Sequence, residues 1–392
     1  MIIQSTNVWY EEKFQPLQIE IKENKIWSIL PYNYKEINYD FNDNRILPGL
    51  LDIHCHGWNG NDTCSISVEG LHAWSAHLPK EGVTGFCPTG GFKGKEEDSF
   101  EGFNTVAKVI DEKSYSGAEV LGINLEAVWI GEKYKLGVDI DYQMVPDVAC
   151  VDRYIKACNG HLKYVMVAPE MLRSDMSIIS YMTSKGITVG AGHTDASFAD
   201  ITAAKTAGLT GFVHVYNLMK GMHHRDLGTV GAAFYYEDMY AEIIGDSNLE
   251  SDEATKLLAR IKGKDHLVIV TDATALKGYA PGLYSPEELG GLIDHFNKSH
   301  GEKIRITDED GYFDEQGIWR GSGAKMNYQL KRFIEKIGVD EVTAINGCTC
   351  NPAKYLHLNN KGYICQGYDA DITVLNKDYD VIQTFVGGKE ML

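Results

Sequence analysis

The order of apolar runs predicts an α/β protein built on a (β/α)8 barrel, with a small β-sandwich domain assembled from the two chain ends. Three observations carry this. From about residue 45, short β-branched runs alternate with amphipathic stretches, eight times over roughly 225–250 residues. No Gly-x-Gly-x-x-Gly turn follows the first run, which counts against an open doubly wound sheet. The ends instead interleave charged and apolar residues, as in Ile19-Glu-Ile21 and Ala370-Asp-Ile-Thr-Val-Leu375. Neither end is long enough to fold well alone, so the two should pair. The expected division is 1–46 with 350–392 for the β domain and 47–349 for the barrel.

The eight runs read as strands over 47–54, 83–88, 120–126, 164–169, 188–193, 212–217, 241–246 and 267–272. Helix-like periodicity lies near 69–80, 98–112, 147–159, 172–185, 197–207 and 250–263. Strand–helix alternation of this kind implies parallel pairing with crossover helices.

The formal charge of −18 argues against nucleic acid as a partner. A small anionic substrate stays open, because a site can be locally basic in an acidic protein. Residues 1–13 lack a basic segment followed by an apolar one, so no secretory signal is read. No stretch approaches the ~18 apolar residues of a membrane span, and no membrane partner is expected. Cysteines 55, 64, 87, 150, 158, 348, 350 and 365 form no Cys-x-x-Cys pair. They read as reduced thiols, and the expected location is cytoplasmic.

The segment Ile46-Leu-Pro-Gly-Leu-Leu-Asp-Ile-His-Cys-His-Gly57 is the most informative. Residues two apart on a strand point to one side, so His54 and His56 would leave the first strand together, as half of a metal site. At the other strand ends stand Glu126 on the third, His193 on the fifth, His214 on the sixth and Asp272 on the eighth. Barrel chemistry sits at those ends. A charged residue after a buried apolar run is costly unless it is paired or bound to metal. Singly, each has a plain structural reading: a hydrogen-bonded core histidine, a paired glutamate, a helix-capping aspartate. Their recurrence at equivalent positions points to joint metal ligation by Glu126, His193 and His214. His54 and His56 would hold a second ion beside the first, with Glu126 as a bridge.

Such ligands suit Zn²⁺ first, and also Fe²⁺, Co²⁺ or Mn²⁺. Three protein ligands leave a position for water, as hydrolytic sites require, and Asp272 would serve as general base and then general acid. Arg225, in the basic island Lys220-Gly-Met-His-His-Arg225, reads as an anion-binding residue or as part of a solvated loop. Trp319-Arg-Gly-Ser-Gly323, with Trp319 and Arg320, reads as a loop over the substrate or as a simple glycine turn.

Taken in order and spacing, these segments resemble the N-acetylglucosamine-6-phosphate deacetylase family of the amidohydrolase superfamily. The likeness spans nearly the whole chain. It includes Gly192-His-Thr-Asp-Ala-Ser197, His214-Val-Tyr-Asn-Leu-Met219, Arg225-Asp-Leu-Gly228, Val270-Thr-Asp-Ala-Thr-Ala275, Asn351-Pro-Ala-Lys354 and Asp369-Ala-Asp-Ile-Thr-Val-Leu375. The resemblance implies a barrel flanked by a β-sandwich and one or two divalent ions. It implies hydrolysis of an acetyl amide on an amino-sugar phosphate. The phosphate would meet Asn217, the backbone at Leu218, and Arg225. Some of these groups would come from a partner subunit, which implies a homodimer.

The chain departs from the family at the substrate. Ala127-Val128 stand where Gly-Pro is usual. Val138-Asp139 stand where one histidine is expected, and Asn248-Leu249 where another is. N-acetylgalactosamine-6-phosphate or another N-acyl sugar is therefore an alternative substrate. A deaminase on the same scaffold and a catalytically silent relative are the alternative activities. A carboxylated-lysine site is disfavoured, because Ala168-Pro-Glu170 close the fourth strand without a lysine.

Overall fold

The computed structural model describes residues 1–91, 96–134, 146–246, 248–290, 303–307 and 311–392. Its centre is a parallel barrel. In chain order the barrel strands are Leu50–Cys55, Val83–Gly90, Ile123–Trp129, Leu162–Val167, Thr188–Ala191, Gly211–Phe212, Tyr240–Ile244 and Leu267–Val270. Each pairs in parallel with the next. The first and eighth close the ring just past their ends, where Cys55 bridges Ala273. The Asp272 N–H donates to the His54 carbonyl at 2.9 Å, and the His56 N–H to the Ala273 carbonyl at 2.7 Å. The seam therefore passes through three of the residues singled out from the sequence. The strands are almost wholly buried, as the near-continuous apolar runs of a parallel sheet require.

The helices sit close to the expected positions: Val68–His77, Glu96–Glu112, Val148–Ala157, Ser177–Ser184, Phe198–Ala207 and Asp252–His266. Capping accounts for several starts. Ser67, Asp147, Ser197 and Ser251 each accept a backbone N–H from the first turn, and Ser197 with Asp200 forms a full capping box.

Three strand expectations need correction. The run 47–54 is two strands: Arg45–Pro48 pairs with Ile372–Leu375 in the terminal sheet, and only Leu50–Cys55 enters the barrel. The break is at Gly49, where a Cβ would lie 2.1 Å from Thr84 Oγ1. The third strand runs on to Trp129, so Glu126 lies within it, inside a register shift between Leu125 and Trp129 where Ala127 has a φ of +57°. The sixth strand is only Gly211–Phe212, because His214, Tyr216 and Leu218 take φ of +30°, +82° and +48° and turn the chain away. The sequence reading also passed over the helices Gly228–Tyr235, Met326–Lys331, Glu341–Cys348 and Cys350–Tyr355. It missed a four-stranded antiparallel sheet that runs from Gly282–Tyr284 to Trp319–Ser322 after the eighth barrel strand.

Both chain ends build one further sheet. Ile2–Tyr10, Lys13–Lys22, Lys25–Pro31 and Arg45–Pro48 join Ile372–Leu375, Val381–Val386 and Lys389–Glu390. It folds back on itself where Lys25 bridges Asp369, around a core that includes Ile3, Ile19, Ile46, Ile372 and Phe385. Thr373 and Thr384 fasten it to the barrel by donating to the carbonyls of Gly82 and Pro79 at 2.6 and 2.8 Å. Among the described residues no helix is long and apolar enough to cross a membrane.

Candidate metal centre at the barrel mouth

The residues singled out from the strand ends converge. Glu126 is 4% exposed and divides its two oxygens between two pairs of imidazoles. Oε1 lies 2.8 Å from His214 Nε2 and 3.5 Å from His193 Nε2. Oε2 lies 3.0 Å from His56 Nε2 and 3.3 Å from His54 Nε2. Asp272 Oδ1 joins the second pair, 3.0 Å from His56 Nε2 and 3.4 Å from His54 Nε2. Two candidate metal-ligand groups follow, Glu126–His193–His214 and His54–His56–Glu126–Asp272, each with donor atoms within 4.8 Å of one another. They share Glu126.

Backbone geometry brings these donors together. His193, His214 and Asp272 have φ of +44°, +30° and +47°, a region that bulky residues rarely occupy. Each stands just past its strand, and the left-handed turn there aims the side chain across the mouth. Strain of this kind clusters at functional sites. Glu170, at the end of the fourth strand, steadies the His193 turn. Its carboxylate accepts the Asp195 N–H at 2.7 Å and the Thr194 hydroxyl.

The electrostatics call for a cation. Among the described residues no lysine or arginine pairs with Glu126 or Asp272. Burial pushes the Glu126 carboxyl up, yet His54, His193 and His214 bring it well below the usual carboxylate range. Burial opposes protonation of His56, but Asp272 and Glu126 outweigh it and raise that imidazole to about 10. His54 is likewise held well above its ordinary value, against burial, by Glu126, Asp272 and Glu242. Nitrogen and oxygen donors crowded around buried carboxylates suit a divalent metal ion.

Two site residues escaped the sequence reading. Glu242, on the seventh strand, is fully buried, and its Oε2 lies 3.0 Å from His54 Nδ1. Asp52, on the first, takes the Thr271 hydroxyl at 2.6 Å and the Thr271 and His54 N–H groups at 3.3 and 3.4 Å. The only signal of either was an acidic residue inside an apolar run.

The substrate-side residues are more dispersed. The Asn217 N–H closes a turn on the His214 carbonyl, and the Leu218 carbonyl takes the Thr194 N–H. Arg225 is exposed in its loop, with its backbone N–H 3.3 Å from His223 Nδ1. Among the described residues its guanidinium makes no ion pair. Asn248 and Leu249 each donate a backbone N–H to Asp246 Oδ1, while Asn248 Nδ2 is buried with no hydrogen-bond partner among the described residues. The segment expected to be a loop or glycine turn at Trp319 is a strand. There the Trp319 indole reaches Asp246 at 3.2 Å, and Arg320 Nε is held by Asp314 at 2.9 Å. Val138 and Asp139 lie outside the described residues.

Comparison with known proteins agrees with this architecture. The sequence profile of the amidohydrolase family matches residues 45–391. An N-acetylglucosamine-6-phosphate deacetylase of Bacillus subtilis is 30% identical over 348 residues, 88% of this chain and 84% of that protein. An N-acetylgalactosamine-6-phosphate deacetylase of Escherichia coli O157:H7 is 26% identical, over 88% of this chain and 87% of its own length. The crystal structure of an N-acetyl-D-glucosamine-6-phosphate deacetylase from Mycobacterium smegmatis superposes with a TM-score of 0.88 at 21% identity, covering 100% of both chains. The chain belongs to the amidohydrolase family, within its N-acetylglucosamine-6-phosphate deacetylase branch.

Proposed function

We propose that this protein hydrolyses the acetyl amide of N-acetylglucosamine-6-phosphate, giving glucosamine-6-phosphate and acetate. The observation that carries the reading is the sharing of Glu126 between two imidazole pairs, with Asp272 beside one of them. Glu126, His193 and His214 would hold one divalent ion, and His54 and His56 a second. Zinc is the first choice, with iron, cobalt or manganese as alternatives. A cation there supplies Lewis acidity, lowering the pKa of a water and polarising the acetyl carbonyl. Asp272 accepts the proton of the attacking water on Oδ1. As the C–N bond breaks, it passes that proton to the departing sugar nitrogen. Asn217, the Leu218 backbone and Arg225 are assigned to the phosphate. Trp319, Asn248 and Leu249, near the Asp246 carboxylate, are assigned to the sugar, with Arg320 behind them.

The rest of the reading concerns the whole protein. We keep the division of a barrel unit, 47–349, from a flanking β domain, 1–46 with 350–392, but move its first boundary to Gly49, because Leu47 and Pro48 pair in the terminal sheet. None of the eight cysteines forms a disulfide among the described residues, which supports a reducing, cytoplasmic setting. A homodimer would give the exposed Arg225 a neighbouring site to serve.

A second reading, N-acetylgalactosamine-6-phosphate as the substrate, is favoured by Leu249 standing where the family places a histidine. Acetate release from the two phosphorylated epimers and their unphosphorylated forms separates the cases. Turnover of the gluco phosphate above the others is expected. A preference for the galacto epimer would shift the assignment, ammonia release would indicate a deaminase, and silence across the panel with metal bound would remove the enzyme reading.

A further inference from the structure

Glu242 is out of place for a barrel strand. It lies in the middle of Tyr240–Ile244, is 0% exposed, and is flanked in sequence by apolar residues. Its one ion-pair partner among the described residues is His54. A buried carboxylate is costly without compensation, and an apolar side chain would fill the same space more cheaply. The contact has a direction. A carboxylate oxygen that already takes a backbone N–H acts as an acceptor, so His54 presents Nδ1–H across the 3.0 Å to Oε2. The same oxygen accepts the His214 N–H at 3.3 Å, which ties the seventh strand to the sixth.

With Nδ1 given to Glu242, His54 turns Nε2 towards Glu126 Oε2 at 3.3 Å and Asp272 Oδ1 at 3.4 Å. A cation held there would take the place of the proton that the two carboxylates favour on Nε2. The other imidazole pair has no such backing among the described residues, where Nδ1 of His193 and Nδ1 of His214 are buried without a hydrogen-bond partner. The two halves of the centre are therefore built differently.

We propose that Glu242 is a positioning residue for cation binding: by taking Nδ1–H it holds the His54 ring so that Nε2 faces Glu126 and Asp272. This rests on the metal-dependent reading above. Carboxylates placed behind ligand histidines commonly raise metal affinity by 10–100-fold.

The test is a calorimetric titration of metal-depleted protein with Zn²⁺. Wild type should take up two equivalents. In Glu242→Gln one equivalent should bind as before, and the other about 10–100-fold more weakly. Uptake of a single equivalent by wild type, or unchanged constants in the variant, would overturn the proposal. If Glu242→Gln does not fold, zinc-loaded wild type labelled with ¹⁵N-histidine answers the same question, with the His54 signals identified by their loss in His54→Asn. A proton on Nδ1 supports the assignment, and a proton on Nε2 overturns it. Acetate release is scored separately. Protein that binds two zinc ions with the Glu242 dependence but deacetylates nothing would remove the proposed activity and leave this inference standing.

Discussion

Asp272 shows how much one residue carries. Its N–H closes the barrel on His54, its φ of +47° turns the side chain inward, and its Oδ1 sits 3.0 Å from His56 Nε2. Only its ionisable oxygen can shuttle a proton. Asp272→Asn keeps the shape and should still fold and bind metal, while kcat falls by about 10²–10⁴-fold, the usual worth of a general acid–base. Steady-state kinetics beside metal analysis checks this; an unchanged rate would discard the assigned role. At this scale His54, His56, Glu126, His193, His214 and Asp272 were legible, because each is an ionisable residue in or just after an apolar run. Glu242 and Asp52 were not. Both lie inside strands, and only the closed barrel brings Glu242 to His54 Nδ1 and Asp52 to Thr271.

At the scale of the element, the strands set the site by where they stop and how they turn. Left-handed residues at His193, His214 and Asp272 aim the donors, and no periodicity announces a positive φ at a histidine. Neighbouring strand ends also press on one another. Gly91, just beyond the second strand, lies against the Glu126 peptide so closely that a Cβ would come within 2.1 Å of the Glu126 carbonyl oxygen. Gly91→Ala should push that peptide aside, costing roughly 1–3 kcal/mol of stability as an overpacked contact. It should also weaken metal binding, although Gly91 is no ligand. Chemical denaturation and zinc titration of the variant read the two effects; metal affinity equal to wild type would show that Glu126 is not held by this contact.

Across the whole molecule, closing the barrel and assembling the site are one event, because the seam runs through His54, His56 and Asp272. Stability should therefore respond to the charge state of the centre. In the metal-free protein, His56 has its pKa raised from 6.5 to about 10. A raised pKa stabilises the fold fully below about 6.5, and that contribution is lost as pH rises through about 10. The melting temperature of metal-free protein should thus fall between those limits. A bound cation requires the neutral imidazole and replaces the proton, so the loaded protein should lose this decline and melt higher throughout. Differential scanning calorimetry across that range, with and without zinc, gives the comparison. A metal-free melting temperature that is flat or rises with pH would contradict the charge balance drawn here.

The amino-acid order alone determined the alternation of strand and helix, the pairing of the two ends into one sheet, and most of the ionisable residues at the mouth, because burial periodicity and the cost of buried charge are written locally. Four things waited for the tertiary structure. The break at Gly49 depends on Thr84, a residue of another strand. The short sixth strand depends on left-handed turns. The strand at Trp319 depends on pairing with Gly311–Phe313. The division of the two Glu126 oxygens between opposite imidazole pairs depends on donors from the first, third, fifth and sixth strands meeting within a few ångströms. Such through-space convergence has no signature along the chain, since it exists only once the sheet has closed.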